Sequence, residues 1–226
     1  MATLTPSSKN LTVFIPGPSD EAVELALPSC VFDLAGFRRW VHSDQLPDGA
    51  RASFLAGDVE VDMSPEEIQS HNKVKSDVFG AVWNWIRAHD LGELLSDGAL
   101  LVHEAAQLST EPDILFCSWD RLKAGTVRYA EQVPGSGRQV EVVGSPDLVV
   151  EIVSLSSIRK DTRQLVDLYF AAGVAEYWLI DARGTDIELR LLQRGDSAFE
   201  PAPRDEQDYQ RSGVLGGSFR LTRDRN

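Results

Sequence analysis

Hydrophobic positions alternate along some stretches of this chain and recur every third or fourth residue along others. Leu148-Val149-Val150-Glu151-Ile152-Val153 is a β-branched run with the length of a strand buried on both faces, yet it carries a carboxylate in its middle. Downstream, Leu165, Leu168, Tyr169 and Ala172 recur at helical spacing and stop at Gly173, a residue suited to a C-terminal cap. Glu176 to Asp181 reads as another apolar strand, and Ile187 to Leu192, across Arg183-Gly184, as its antiparallel partner. Strand 147–153, helix 157–172 and strand 176–181 thus make a βαβ-type unit whose strands are predicted parallel and adjacent.

Upstream, Leu34, Phe37, Trp40 and Val41 predict a short amphipathic helix with Asp33 as its cap, and Arg51 to Met63 predicts a β-hairpin turning at Gly57-Asp58. Ser64-Pro65-Glu66-Glu67 has the pattern of a capped helix start, and Val74, Val78, Val82 and Ile86 carry that helix to about His89. His71 falls on the edge of this stripe, where a histidine reads first as a core residue. Short strands are expected at 93–95, 100–104 and 112–117, and a final one within 214–221. The polar, Gly-rich stretch from Trp119 to Gly144, with a loop at Val133-Pro134-Gly135-Ser136-Gly137, reads as an insertion or lid. The order of elements predicts an α/β (α+β) fold with a mixed sheet flanked by helices: residues 1–30 as a loosely attached arm, 31–226 as a single domain.

Composition narrows the chemistry. A formal net charge of -13 argues against a simple nucleic-acid coat, which needs Lys and Arg to displace counterions. It is compatible with a metal-dependent site, because clustered Asp and Glu are what hard divalent cations require. The two cysteines, Cys30 and Cys117, have no second thiol or histidine at ligand spacing and suggest neither a zinc site nor a disulfide framework. With no signal-like segment and no apolar run of about 20 residues, the expectation is a cytoplasmic protein that does not enter membranes.

Glu151 is the residue that needs a partner, since a carboxylate in a buried strand is paired, hydrogen-bonded or bound to metal. Asp147 lies on the same face, about 13 Å away along the strand, too far to share one ion directly. Asp113, at the mouth of its own apolar strand, is the natural second carboxylate if that strand lies alongside, because magnesium takes one or two carboxylates plus water and phosphate oxygens.

Glu111-Pro112-Asp113, Ser145 to Ser154, Asp161, Tyr169, Gly173-Val174 and Glu176 to Asp181, with Met63-Ser64-Pro65 and His71 upstream, resemble the Uma family of restriction endonucleases, a branch of the PD-(D/E)XK nuclease superfamily. The resemblance covers roughly residues 30 to 221 and implies a restriction-endonuclease-like core with Asp113 and Glu151 as ligands of Mg2+ (or Mn2+). It also implies a DNA substrate and a lysine that orients or activates the attacking water. Here the sequence departs from the pattern. Val153 stands two residues after the acid, and Leu165 stands where similar proteins carry a lysine on the following helix. Lys160 is taken as the nearest replacement, although regular helical phasing turns it and Arg163 away from the face of Leu165; Lys73 and Lys75 are further candidates. His71, Asp147 and Asp161 are expected in support. Two readings follow: a metal-dependent endonuclease, which as a cutter of both strands would act as a homodimer with Trp83 or Trp119 at the interface, or a weakened nuclease-fold protein acting as a binding or assembly module.

Overall fold

The computed structural model describes residues 2–4, 11–16, 22–132 and 135–223. The chain divides into two compact units, the first made of Met1–Pro65, Gly98–Glu111 and Tyr129–Val143, the second of Glu66–Asp97, Pro112–Arg128 and Gly144–Asn226.

The first unit carries a seven-stranded sheet in the order Ala2–Leu4, Asp58–Asp62, Arg51–Leu55, Leu108–Thr110, Leu100–His103, Gln139–Gly144, Val127–Glu131. The predicted hairpin is present as Arg51–Leu55 paired antiparallel with Asp58–Asp62. The edge strand Ala2–Leu4 and a separate hairpin of Leu11–Pro16 with Ala22–Leu27 account for the described part of the N-terminal arm. Helix Leu34–Val41 starts at Asp33, whose side chain accepts from the Gly36 amide at 2.8 Å. Gly36 has to be glycine, because a Cβ there would lie 1.8 Å from the Cys30 carbonyl oxygen. Leu34, Phe37 and Trp40 bury the helix against Phe54, Val59, Leu100 and Val102.

The second unit is built on a six-stranded mixed sheet, ordered Phe199–Pro201, Glu188–Arg194, Glu176–Asp181, Leu148–Ile152, Ile114–Ser118, Gly92–Ser96. Leu148–Ile152 is the all-buried strand that its composition predicts. It runs parallel to Glu176–Asp181, with Glu151 opposite Leu179, and antiparallel to Ile114–Ser118. Helix Lys73–His89 covers one face: its stripe Val78, Val82 and Ile86 joins Leu148, Val150 and Ile152 in one core. Each of these side chains contributes roughly 1.5–3 kcal/mol by burial, which seats the helix. Strand alternation sends Val149 and Glu151 to the opposite face, toward helix Leu165–Ala171.

Three expectations are corrected. The stretch from Trp119 to Gly144 is no insertion: Ser118 caps a helix, Trp119–Ala124, by accepting from the Arg121 amide, Gly125 ends it at φ 72, and strands Val127–Glu131 and Gln139–Gly144 follow. Glycine there masked an ordered turn, since a Cβ at Gly144 (φ +115) would lie 2.2 Å from the Thr126 carbonyl oxygen. Val133 and Pro134 of the expected loop lie outside the described residues. The long helix does not begin at Ser64-Pro65. Residues 63–67 stay non-helical, Glu67 is the cap, and a five-residue π-helical turn, Ile68–Asn72, precedes Lys73–His89. The helix after the central strand likewise carries a π-helical turn, Lys160–Gln164, ahead of Leu165–Ala171. Finally, within 214–221 only Ser218–Phe219 is a strand, paired with Gln210–Arg211.

A candidate metal centre around Asp113

The second unit gathers its buried charges around the end of the central strand. The register pairs Val150 with Ile114, so Glu151 and Asp113 each follow the last pair of the ladder on neighbouring strands, and the Asp113 charge acts on Glu151. Asp113 is held by the neighbouring central strand, accepting from the Ile152 amide at 2.7 Å.

On one side of Asp113 lie cations. His71 Nε2 is 3.5 Å from Asp113 Oδ2, and Lys75 Nζ is 3.4 Å from Oδ1. Lys75 also contacts Glu66 at 2.9 and 3.1 Å and Asp97 at 3.0 Å. His71 and Lys75 are buried and sit four residues apart, one above the other on the same helical face. Burial pushes the Asp113 carboxyl up, but His71, the Ile152 amide and Lys75 outweigh it and hold it below the ordinary range. Burial works equally against charge on His71 and Lys75, and the carboxylates around them overcome it, so both are raised.

On the other side lie acids and phenols. Glu151 is 3% exposed and accepts from the Tyr169 hydroxyl at 2.5 Å, while the Tyr169 ring meets Tyr177 edge-on at 5.2 Å. Burial pushes the Glu151 carboxyl up, and the charges of Asp161 and Asp113 add to it, so it titrates well above the usual range despite Lys160 and the Tyr169 hydroxyl. Asp161 is raised by burial to about 6, with Lys160 and a hydrogen bond from Ser157 acting against the rise. Lys160 Nζ lies 4.0 Å from Asp161 Oδ1, and its charge also acts on Glu151. The π-helical turn that holds Lys160 and Asp161 shifts the phase of the helix from regular spacing. The other π-helical turn ends one residue after His71. Both irregular turns therefore contribute residues to the same cluster.

Of the residues expected at the site, Asp113, Glu151, His71, Lys160 and Asp161 come together. Asp147 does not join them: it accepts from the Ser118 amide at 2.7 Å and pairs with Arg121 at 3.1 Å, at the opposite end of the strand. Val153 and Leu165, where a lysine was looked for, are fully buried core residues. Glu66, Asp97 and Tyr169 were not foreseen. Glu66 had been visible only as a helix-start residue, and Asp97 only as part of a turn.

One ligand atom each from Glu66, His71 and Asp113 lie within 4.8 Å of one another, and His71 Nδ1 is buried without a hydrogen-bond partner. Oxygen ligands with one imidazole suit manganese and related divalent ions, and Asp113 with Glu151 offers the all-carboxylate alternative that magnesium prefers. The donor set fits a divalent cation.

Among the described residues no helix is long and apolar enough to cross a membrane. No curated protein matches the chain. A solved structure, the crystal structure of "a putative nuclease belonging to DUF820" from Anabaena variabilis, superposes with a TM-score of 0.52 at 15% identity, over 73% of this chain and 83% of that one. The two share a mixed α/β fold. The model of the Uma2 family, described as "Putative restriction endonuclease", matches residues 37–222, and the chain belongs to that family.

Proposed function

We propose that this chain hydrolyses phosphodiester bonds in DNA with the help of a divalent ion, Mg2+ or Mn2+, held by Asp113 and Glu151. The observation that carries this reading is the closeness of those two acids at the end of neighbouring strands, where the Asp113 and Lys160 charges both act on Glu151.

Such an ion supplies Lewis-acid polarisation of a phosphate oxygen and acidifies a bound water. The chain's own groups do the rest. Asp113 stays ionised because the Ile152 amide, His71 and Lys75 stabilise its charge. Tyr169 fixes one Glu151 oxygen by donating to it. Lys160 offsets the cost of charge on Glu151 and Asp161, and takes the part of the cation absent from positions 153 and 165. In the reaction a water oxygen bonds to phosphorus, the bond from phosphorus to the leaving sugar oxygen breaks, and the water's proton ends on that oxygen. A homodimer is the assembly this reading expects for cutting both strands, and Trp83, 38% exposed, is the aromatic residue available to an interface.

The test is cleavage of single- and double-stranded DNA with and without metal by wild type, Glu151→Gln, Asp113→Asn and Lys160→Ala. Metal-dependent cleavage that disappears in the first two variants and falls in the third supports the reading. A second reading, a nuclease-fold binding or assembly module, is favoured by the burial of Val153 and Leu165 in the core; DNA binding without cleavage under any metal would select it.

A further inference from the structure

The Lys75 ammonium group has three N–H donors and four carboxylate oxygens to serve: both of Glu66 at 2.9 and 3.1 Å, one of Asp97 at 3.0 Å and one of Asp113 at 3.4 Å. No donor is left for a water or a phosphate. Lys75 is therefore not a stand-in for the missing family lysine, although it is the lysine with its nitrogen beside Asp113. Two of the carboxylates it serves, Glu66 and Asp113, are the ones that with His71 place ligand atoms within 4.8 Å of one another. The third ligand shows an unmet demand: His71 is 5% exposed, and its Nδ1, 3.5 Å from a Glu66 oxygen, has no hydrogen-bond partner. A buried ring nitrogen left without a partner costs free energy that a bound ion would recover.

From this geometry we propose that Glu66, His71 and Asp113 form a divalent-cation site for which Lys75 is a built-in counter-ion, and that a metal ion enters by displacing its ammonium group. The displaced group has somewhere to go. Asp97, at 57% side-chain exposure, offers a carboxylate at the solvent side, and the flexible four-carbon stem of lysine lets the ammonium swing while the helix stays in place. Lys75 keeps the metal-free cluster from repelling itself, at the expense of metal affinity. The proposal rests on the nuclease reading only for what the ion is used for, not for its binding.

The test is Mn2+ binding, followed by the electron paramagnetic resonance signal of the free ion, on wild type, Lys75→Met, Lys75→Gln, Lys75→Arg and Glu151→Gln. Removing the charge at position 75 should tighten Mn2+ binding at least tenfold, the arginine variant should not, and adding Glu66→Gln to Lys75→Met should cancel the gain. The Lys75→Met protein should also melt lower than wild type in chelator and regain that loss in Mn2+; if it folds only with metal, that dependence is itself the expected result. Equal or weaker Mn2+ binding by folded Lys75→Met and Lys75→Gln overturns the proposal. Binding that is lost in Glu151→Gln but indifferent to position 75 overturns it while leaving the Asp113–Glu151 reading standing. No binding by any variant overturns both.

Discussion

The two sides of Asp113 treat buried charge in opposite ways. Toward the long helix, Asp113 meets His71 and Lys75, and its carboxyl is held below the ordinary range. Toward the central strand it meets Glu151 and, beyond that, Asp161, whose carboxyls are pushed up, Asp161 to about 6. Burial acts upward on all three acids. What differs is the company: two cationic side chains and a backbone amide against one lysine shared between two carboxyls. The first side is a set of ion pairs. The second holds carboxyls that keep their protons to higher pH.

That contrast is most exposed by substituting the two facing acids with their amides. Asp113→Asn removes the anion that faces His71 Nε2 in a buried place, while Lys75 keeps Glu66 and Asp97, and a broken buried pair costs about 3 kcal/mol or more. Glu151→Gln keeps the shape of a protonated glutamic acid and still accepts from Tyr169, so its cost should be close to zero. Urea unfolding at pH 7 without metal measures both; equal losses would erase the distinction between the sides. The stability that Asp113 contributes, from its lowered value, should be present above the unfolded carboxyl range near pH 4 and lost as pH falls through the folded value.

Much of this contrast was invisible in the sequence, for a physical reason. The strand Leu148–Ile152 and its parallel partner Glu176–Asp181 follow from local composition and period, which is why they were legible. The cation side is made by residues 66–75, 97 and 113, whose contacts depend on tertiary geometry that no local period encodes. The π-helical turn Lys160–Gln164 was unforeseen for a different reason: hydrophobic periodicity in so short a segment does not reveal the wider turn. The strands within 127–144 were lost because Gly and polar residues there serve tight turns rather than a loose loop.

A smaller effect separates the sides by pH. Asp161, raised to about 6, is a carboxyl whose contribution to stability is fully present below the unfolded value near pH 4 and lost as pH rises through 6. The loss amounts to about 1–3 kcal/mol by that linkage. Asp161→Asn, which can still accept from Ser157, should therefore be more stable than wild type at pH 8 by that amount and no more stable at pH 4. Unfolding midpoints at the two pH values check it. A variant that gains nothing at pH 8 would mean that Lys160 already pairs with an ionised Asp161, and the second side would be an ion-pair network like the first.

The smallest change tests whether the phenols belong to the site or only to the core. Tyr169 donates to Glu151 at 2.5 Å, and its ring sits edge-on to Tyr177, both fully buried. Tyr169→Phe keeps the ring contact and removes only the hydroxyl, so the expected cost is about 1 kcal/mol, the net worth of one hydrogen bond. If the hydroxyl orients Glu151 for a cation, Mn2+ affinity should fall a few-fold in the same variant, with no further loss when Glu151→Gln is added. A stability loss with unchanged Mn2+ affinity would instead make Tyr169 a packing residue, and the ion would then depend on the Asp113 side alone.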